Sequence, residues 1–269
     1  MRRRSSFAAL ALFAAAAALS PAHAQTPTRL GVLMIHGKNP GGATDVNFSP
    51  LKATLERQGW LVGLPDFPWS RTRAIDGHWD QGMAEVGAGV KALRERGATK
   101  IVIVAYSMGV PAALGHAARG GDVQAMALLA PGHSPLRYYT QPHLQPVHDS
   151  INDARAKVAA GQGDVKGSFN DSNQSRARPV TMTAKDYLSY FDPTTDAEMS
   201  VTAPRVPAMP ILTVVGNDDP LFEVLRGYLV EKLPPHPSSK YMEIKASHAT
   251  TPRNASDEVV KWIKEVAAE

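Results

Sequence analysis

Residues 100–109 read KIVIVAYSMG, and this stretch decides the fold predicted for the chain. The run 100–105 is apolar on both faces and rich in β-branched residues, which is typical of a central strand in a parallel sheet. Residues 110–119 are predicted to form the helix that follows. Ser107 therefore lies in a tight turn between strand and helix. A serine placed there projects its hydroxyl away from the sheet, and the N–H of the next residue, Met108, points into the same space.

Strand and helix patterns alternate on both sides of this stretch. This alternation predicts an α/β fold with a mostly parallel, doubly wound sheet and helices on both faces. In such sheets, sites form at the carboxyl ends of the strands, so the polar residues that follow each strand are the candidates for function. The predicted strands are 30–35, 60–64, 100–105, 124–130, 210–215 and 240–245, and the predicted helices are 49–59, 83–96, 110–119, 220–233 and 255–267.

Residues 131–207 interrupt the alternation. They are polar and rich in Pro, Gly, Ser, Asn and Arg. An unstructured loop of this length is improbable inside a compact domain. We therefore expect a single domain over residues 25–269, with 131–207 as an insertion that has short elements of its own and forms a lid or cap over a site.

A serine hydroxyl is a weak nucleophile unless a base removes its proton and an acid orients that base. Two polar segments at later strand ends supply candidates. Residues 216–220 read GNDDP, where Asp219 or Asp218 could be the acid, and His248 follows the strand 240–245. Each segment alone also fits an ordinary turn or a solvated loop. Together with Ser107 they predict a serine–acid–histidine site in that chain order.

This constellation resembles the α/β-hydrolase family over nearly all of residues 29–268. The family's acid commonly occurs in a G-x-x-D-P segment, so the resemblance selects Asp219 and leaves Asp218 as the alternative. The pair His36-Gly37 is similar to the family's oxyanion loop, which implies an oxyanion hole made of the backbone N–H groups of Lys38 and Met108. The sequence departs from the pattern where Ala105 replaces the usual first glycine, and where Tyr106 and Val110 flank the turn.

Substrate contacts are less well defined by the sequence. Aromatic side chains near the expected site could form an apolar wall, and arginines could hold an anionic group. The same residues also fit a reading as rim packing and solvated charges. The candidates are Trp69, Arg71 and Arg73 after the second strand, and His133, Arg137, Tyr138 and Tyr139 at the start of the insertion.

Residues 1–24 are predicted to be a cleaved signal peptide. Arg2 to Arg4 precede a 13-residue apolar run, and residues 22–24 read AHA, a signal-peptidase site that places the cut after Ala24. A membrane span needs about 20 apolar residues, so an uncleaved anchor is the weaker alternative. The mature protein is expected to be periplasmic or secreted, without a membrane span.

Composition excludes several classes of function. The chain has 269 residues, 43% of them hydrophobic and 20% charged, as in globular proteins. Without the leader arginines its formal net charge falls from +4 to +1, so no nucleic-acid partner is expected. The absence of cysteine rules out disulfides and thiolate chemistry. The three histidines of the insertion, His133, His143 and His148, fit a polar lid better than a metal site.

These patterns lead to a functional expectation. We expect an exported serine hydrolase, most consistent with a carboxylic-ester hydrolase that acts on a small molecule without a metal or cofactor. Amide or peptide hydrolysis and acyl transfer remain alternatives, because they share the same acyl-enzyme. A non-catalytic binding or accessory protein with the same fold is an alternative of another class. The sequence leaves the oligomeric state open.

Overall fold

The computed structural model describes residues 29–38, 40–173 and 176–268. The predicted signal peptide and its cleavage site lie outside these ranges. No helix in the described ranges is both long and apolar enough to cross a membrane.

The centre of the molecule is a six-stranded sheet in which every pair of neighbours is parallel. The mostly parallel sheet predicted from the sequence is confirmed. A separate antiparallel hairpin, β5–β6, lies within the insertion. The sheet order is β2-β1-β3-β4-β7-β8, and the strands are β1 (Leu30–Ile35), β2 (Leu61–Gly63), β3 (Lys100–Ser107), β4 (Ala125–Pro131), β5 (Lys166–Asn173), β6 (Arg176–Thr183), β7 (Ile211–Asp218) and β8 (Lys240–Ser247).

Ten α-helices and three short 3-10 turns connect the strands in the described ranges. The helices are α1 (Ser49–Glu56), α2 (Trp79–Glu95), α3 (Gly109–Ala118), α4 (Pro135–Thr140), α5 (Gln145–Ala159), α6 (Ala184–Phe191), α7 (Met199–Thr202), α8 (Phe222–Tyr228), α9 (Thr251–Asn254) and α10 (Ser256–Ala267). The 3-10 turns are Pro142–Leu144, Ala203–Arg205 and Val230–Lys232.

Both faces of the sheet are covered by helices, and β3 shows how the sequence produces this. Its successive side chains point to opposite faces, as in any strand. Val102 and Val104 join an apolar cluster with α1 and α10, whereas Ile101 and Ile103 join a second cluster with α2 and α3. All four side chains are buried, which explains why this strand reads as a continuous apolar run rather than an alternating one.

The insertion contains more regular structure than its composition suggests. Helices α4 to α7 and the β5–β6 hairpin all fall within residues 131–207. Phe169 of the hairpin stacks on Tyr187 of α6 with ring centroids 4.6 Å apart, and Tyr187 stacks in turn on Phe191 at 4.5 Å. These buried rings continue the cluster that covers the α2–α3 face of the sheet. The insertion is thus packed onto the sheet domain through aromatic side chains.

Several predicted helix boundaries differ from the observed ones. Helix α2 begins at Trp79 rather than at residue 83, because the His78 side chain accepts a hydrogen bond from the Asp80 N–H and caps it. Helix α1 ends at Glu56 rather than at residue 59, and no side chain caps its first turn. The predicted helix 220–233 is divided into α8 and a 3-10 turn. None of these shifts moves a residue of the predicted site.

Candidate active site

Ser107 occupies the sharp turn between β3 and α3. Its φ of 54° lies in the left-handed region, which is costly for a residue with a Cβ and is the kind of strain found at functional sites. Gly109 makes the turn possible, since a Cβ at this position would lie 2.2 Å from the carbonyl oxygen of Ile35 in β1. Helix α3 therefore begins in direct contact with the neighbouring strand. Ala105 is tolerated in place of a glycine because its methyl group is buried in the core.

The structure brings the three predicted side chains together. His248 Nε2 lies 2.9 Å from Ser107 Oγ, and His248 Nδ1 lies 2.6 Å from Asp219 Oδ2. A carboxylate oxygen only accepts, so Nδ1 carries the proton and Nε2 is left to accept from the serine hydroxyl. This is the arrangement in which a neutral imidazole can act as a base toward Ser107.

The turn after β7 separates the two candidate acids. Asp219 is buried, and its second oxygen, Oδ1, accepts a hydrogen bond of 2.8 Å from the Leu221 N–H. Asp218 is exposed to solvent. Three residues before Asp219, Gly216 is required because a Cβ at this position would lie 2.2 Å from the Ala246 carbonyl oxygen of β8. The close approach of β7 and β8 thus sets the carboxylate of Asp219 against the histidine loop.

The loop that carries His248 is fixed by short-range hydrogen bonds. The Ser247 N–H donates to Thr250 Oγ1 at 2.9 Å, and Thr251 Oγ1 donates to the Ser247 carbonyl at 2.9 Å. Asn217 Oδ1 accepts from the Ala246 N–H at 3.2 Å, which ties the end of β8 to the turn after β7. The backbone on both sides of His248 is therefore fixed by hydrogen bonds, and this fixes the position of the imidazole.

Two loops pack against Ser107 through a glycine, Gly37 in one loop and Gly132 in the other. A Cβ added at Gly37 would lie 3.0 Å from Ser107 Cβ, and one added at Gly132 would lie 2.9 Å from Ser107 Oγ and 3.2 Å from His248 Cε1. Gly132, in the loop after β4, was not identified from the sequence. Its neighbours in the chain, Pro131 and His133, gave no motif that would have pointed to it. The predicted oxyanion loop is thus in contact with the serine.

The N–H groups of Lys38 and Met108 make no hydrogen bond to another residue in the described part of the chain. Met108 is the residue before the first turn of α3, where N–H groups and the helix dipole favour a negative charge. Lys38 follows Gly37, which contacts Ser107. Both donors are therefore available to an oxyanion bound beside the serine.

His36 fixes the position of the loop that contains Gly37 and Lys38. Its Nδ1 donates to the Gly37 carbonyl at 2.7 Å, and its Nε2 accepts from the Phe67 N–H at 3.0 Å. Burial lowers the pKa of His36, and so favours the neutral form that this pattern requires. The Trp69 indole N–H donates to the His36 carbonyl at 2.9 Å. The bonds from Phe67 and Trp69 hold the loop from the side of the second strand.

A cavity lies over Ser107 and His248, and the insertion forms much of its wall. Of the predicted substrate residues, His133, Arg137 and Tyr138 line it. Residues Leu144, Ser172 and Asn173 line it as well, and their positions could not be read from an irregular polar segment. Within the described residues no group of three or more acidic or histidine side chains is placed to bind a metal ion.

Four of the predicted substrate residues, Trp69, Arg71, Arg73 and Tyr139, do not line the cavity. Trp69 is fully buried, where it stacks on Phe67 at 5.2 Å and bonds His36, so it supports the loop instead of lining the cavity. Arg71 is exposed and outside the cavity wall, and its backbone N–H donates to the Gly41 carbonyl at 2.7 Å. The alternative candidate Arg73 is occupied by ion pairs with Asp76 and Glu85. The stretch after β2 was expected to face the cavity, but it packs behind the loop that contains Gly37 and Lys38.

His133 is held neutral in the cavity wall. Its Nε2 donates to the Tyr190 carbonyl at 2.7 Å, and burial together with the nearby Lys38 ammonium lowers its pKa to about 3. An unfolded histidine titrates near pH 6.5, so the folded state takes up fewer protons as the pH falls. The stability that depends on neutral His133 is therefore complete above about pH 6.5 and is lost as the pH falls toward 3.

We expect the free energy of unfolding of the wild type to fall between pH 7 and pH 5, with His133 contributing about 2 kcal/mol of the decrease. The variant His133→Asn should show a shallower decrease, which urea unfolding at the two pH values would measure. His36 and His116, whose pKa values are also lowered by burial, contribute equally to both proteins. If the free energy of unfolding fell by the same amount in the wild type and in His133→Asn, this assignment would be wrong.

Comparison with known proteins gives the fold. No protein-family model matches the sequence, and no curated protein sequence does. Solved structures match over almost the whole chain. A carboxyl esterase from Bacillus coagulans has a TM-score of 0.62 at 14% identity, with 89% of this chain and 91% of that chain covered. The chain has the α/β-hydrolase fold.

Two further solved structures with this fold also match over almost the whole chain. A protein from Agrobacterium vitis S4 has a TM-score of 0.60 at 17% identity, with coverage of 89% of this chain and 88% of that chain. Est1E from Butyrivibrio proteoclasticus, with ferulic acid bound, has a TM-score of 0.58 at 14% identity, with coverage of 91% and 92%. The resemblance seen in the sequence is thereby confirmed for the α/β-hydrolase fold.

Proposed function

We propose that the protein is a serine hydrolase that cleaves a carboxylic ester through an acyl-enzyme on Ser107. The observation that supports this best is the continuous set of hydrogen bonds from Asp219 through His248 to Ser107 at the floor of a cavity. The esterases among the structures of the same fold support the choice of an ester as substrate.

The first half of the reaction forms the acyl-enzyme. Ser107 Oγ attacks the acyl carbon while His248 Nε2 takes its proton, and Asp219 stabilises the resulting imidazolium. The negative charge that develops on the carbonyl oxygen is bound by the N–H groups of Lys38 and Met108. When the tetrahedral intermediate collapses, the bond to the leaving group breaks and His248 returns the proton to the departing alcohol.

The second half releases the acid. Water takes the place of the alcohol, His248 removes a proton from it, and the hydroxide attacks the acyl carbon. The same two N–H groups bind the second oxyanion. Collapse then breaks the bond to Ser107 Oγ, which regains its proton from His248. The sequence of steps uses only groups of the chain and water.

Labelling with a fluorophosphonate tests the nucleophile. The wild type is expected to react with the probe at one site, because the activated hydroxyl of Ser107 attacks phosphorus as it would attack an acyl carbon. The variant Ser107→Ala should not be labelled, and peptide mapping of the wild type should place the probe on Ser107. Equal labelling of both proteins would place the reactive nucleophile at another residue and refute the proposal. Labelling of neither would refute it and favour a non-catalytic role for the fold.

Product analysis separates the reactions that share an acyl-enzyme. Hydrolysis of p-nitrophenyl acetate in the presence of a competing alcohol is expected to give acetate as the main product. Transfer of the acetyl group to the alcohol would instead identify an acyltransferase, and cleavage of the matching anilide at a comparable rate would identify an amidase. We further propose that the reaction takes place in the periplasm or outside the cell, given the composition of residues 1–24.

A further inference from the structure

The loop that supplies one oxyanion donor is anchored at both of its ends. At its start, His36 bonds to Gly37 and to Phe67. At its far end, the Gly41 carbonyl accepts from the Arg71 N–H at 2.7 Å, and the Gly41 N–H donates to the Lys38 carbonyl at 2.8 Å. Between these anchors the Lys38 N–H has no partner in the described ranges. The orientation of this N–H therefore depends on what holds Lys38 itself.

The Lys38 side chain is held by the insertion. Its Nζ donates to Asp171 Oδ1 at 2.5 Å and to the Ser172 carbonyl, both at the end of β5. The side chains of Lys38 and Asp171 are 9% and 14% exposed, so the ion pair is shielded from water. The ammonium also lies 5.6 Å from the centroid of the Tyr138 ring. Such a charge-assisted pair in a shielded position is much stronger than an exposed one.

Electrostatics favours a charged lysine at this position. Burial alone would lower the pKa of Lys38, but the Asp171 carboxylate outweighs burial and raises it. The ammonium therefore persists through the neutral pH range. With two of its three N–H groups used on the hairpin, Lys38 forms a fixed bridge between the oxyanion loop and the end of β5.

The hairpin that receives Lys38 is itself firmly attached. The Asn170 N–H donates to Ser150 Oγ of α5 at 3.0 Å, and the Tyr187 hydroxyl of α6 donates to the Asn170 carbonyl at 2.6 Å. Phe169 is buried against Tyr187. The residue next to Asp171 is thus bonded to two helices, so the hairpin can serve as a fixed support for Lys38.

We propose that Asp171 is a positioning residue for the oxyanion hole, acting through the Lys38 side chain to hold the Lys38 N–H toward the reacting carbonyl. This inference rests on the proposed hydrolase function. It gives the insertion a role in the chemical step in addition to its role in the cavity wall. Loss of the bridge would leave the serine, histidine and aspartate in place but would loosen one of the two oxyanion donors.

The variant Asp171→Leu tests this role. With p-nitrophenyl acetate we expect kcat to fall by about tenfold or more, since removing one oxyanion donor altogether costs about 10²–10³-fold. KM should change by less than about threefold, because the donor acts mainly in the transition state. Binding of a trifluoromethyl ketone, which forms a tetrahedral adduct with the serine, should weaken by a factor similar to the loss in kcat.

A second variant covers the case in which Asp171→Leu does not fold. Lys38→Met removes the same bridge but keeps the backbone N–H, and burial raises the pKa of Asp171, so the carboxyl group can take up a proton when its partner is lost. We expect the same fall in kcat. The double variant Lys38→Met/Asp171→Leu should be no slower than either single variant, because both break one link.

The hairpin region offers a matched control. Asp164, just before β5, pairs with Lys185 at 2.8 Å on the exposed surface. Asp164→Leu should leave kcat within about twofold of wild type, as expected for exposed ion pairs. A kcat near wild type in Asp171→Leu and Lys38→Met, or a change in KM alone, would overturn the positioning role while fluorophosphonate labelling of the wild type still supported the hydrolase. Absence of labelling in the wild type would refute the hydrolase itself.

Discussion

Replacing His248 by alanine is expected to lower kcat for a p-nitrophenyl ester by on the order of 10⁴-fold or more, because the triad acts as a unit. The imidazole bridges the other two members, with Nε2 2.9 Å from Ser107 Oγ and Nδ1 2.6 Å from Asp219 Oδ2. Without it, Ser107 has no base at neutral pH, and the leaving alcohol has no proton donor. Steady-state kinetics on the purified variant would measure the loss.

The fold of His248→Ala is expected to survive. The imidazole is partly exposed, and the loop around it is held by Ser247, Thr250 and Thr251 rather than by the ring. Thermal unfolding followed by circular dichroism should therefore give a transition close to that of the wild type. A folded variant that retains more than about a tenth of the wild-type kcat would show that His248 is not the base.

Replacing Asp219 by asparagine is expected to lower kcat by about 10⁴-fold through the tautomer of His248. The carboxylate accepts the proton on Nδ1 and leaves Nε2 free to accept from Ser107. An amide can donate to Nδ1 instead, which places the imidazole proton on Nε2. The protonated Nε2 then cannot accept the proton of Ser107. The geometry of the site would be nearly unchanged, so the loss should appear in kcat much more than in KM.

Asp218→Asn is the matched control, since it makes the same chemical change one residue earlier in the same turn. Asp218 is exposed and makes no side-chain contact with His248 in the described structure. Its substitution should change kcat by less than about twofold. The reverse ranking of the two variants would assign the acid to Asp218 and contradict the hydrogen bond seen at Asp219.

The sheet and the candidates Ser107, Asp219 and His248 could be proposed from the sequence because they depend on local patterns. A buried parallel strand is apolar on both faces, and residues 100–105 meet that condition without help from the rest of the chain. A serine in a strand-to-helix turn likewise has a local signature, completed by Gly109. The resemblance to a known family then chose between Asp218 and Asp219, which adjacency alone could not separate. The structure places Asp219 beside the histidine.

The substrate wall and the insertion were predicted less well, because their residues are brought together by long-range packing. Trp69 follows a strand and was expected to face the cavity, but its indole is drawn into the core by Phe67 and by the bond to His36. The contact between Lys38 and Asp171 joins residues 133 positions apart. The hairpin β5–β6 has a polar sequence without apolar alternation, so no periodic signal identified it.

The close contact of Gly109 with Ile35 also limits how the protein can adapt to different substrates. Helix α3 touches the backbone of β1, so the turn that carries Ser107 cannot shift unless β1 shifts with it. In the hydrolase that we propose, a bulkier acyl group cannot be accommodated by a shift of Ser107. The additional space must come from the part of the cavity wall that the insertion forms, which includes Arg137, Tyr138 and Ser172. Directed evolution of altered acyl selectivity should therefore accumulate its substitutions in 131–207 and spare the turn around Ser107.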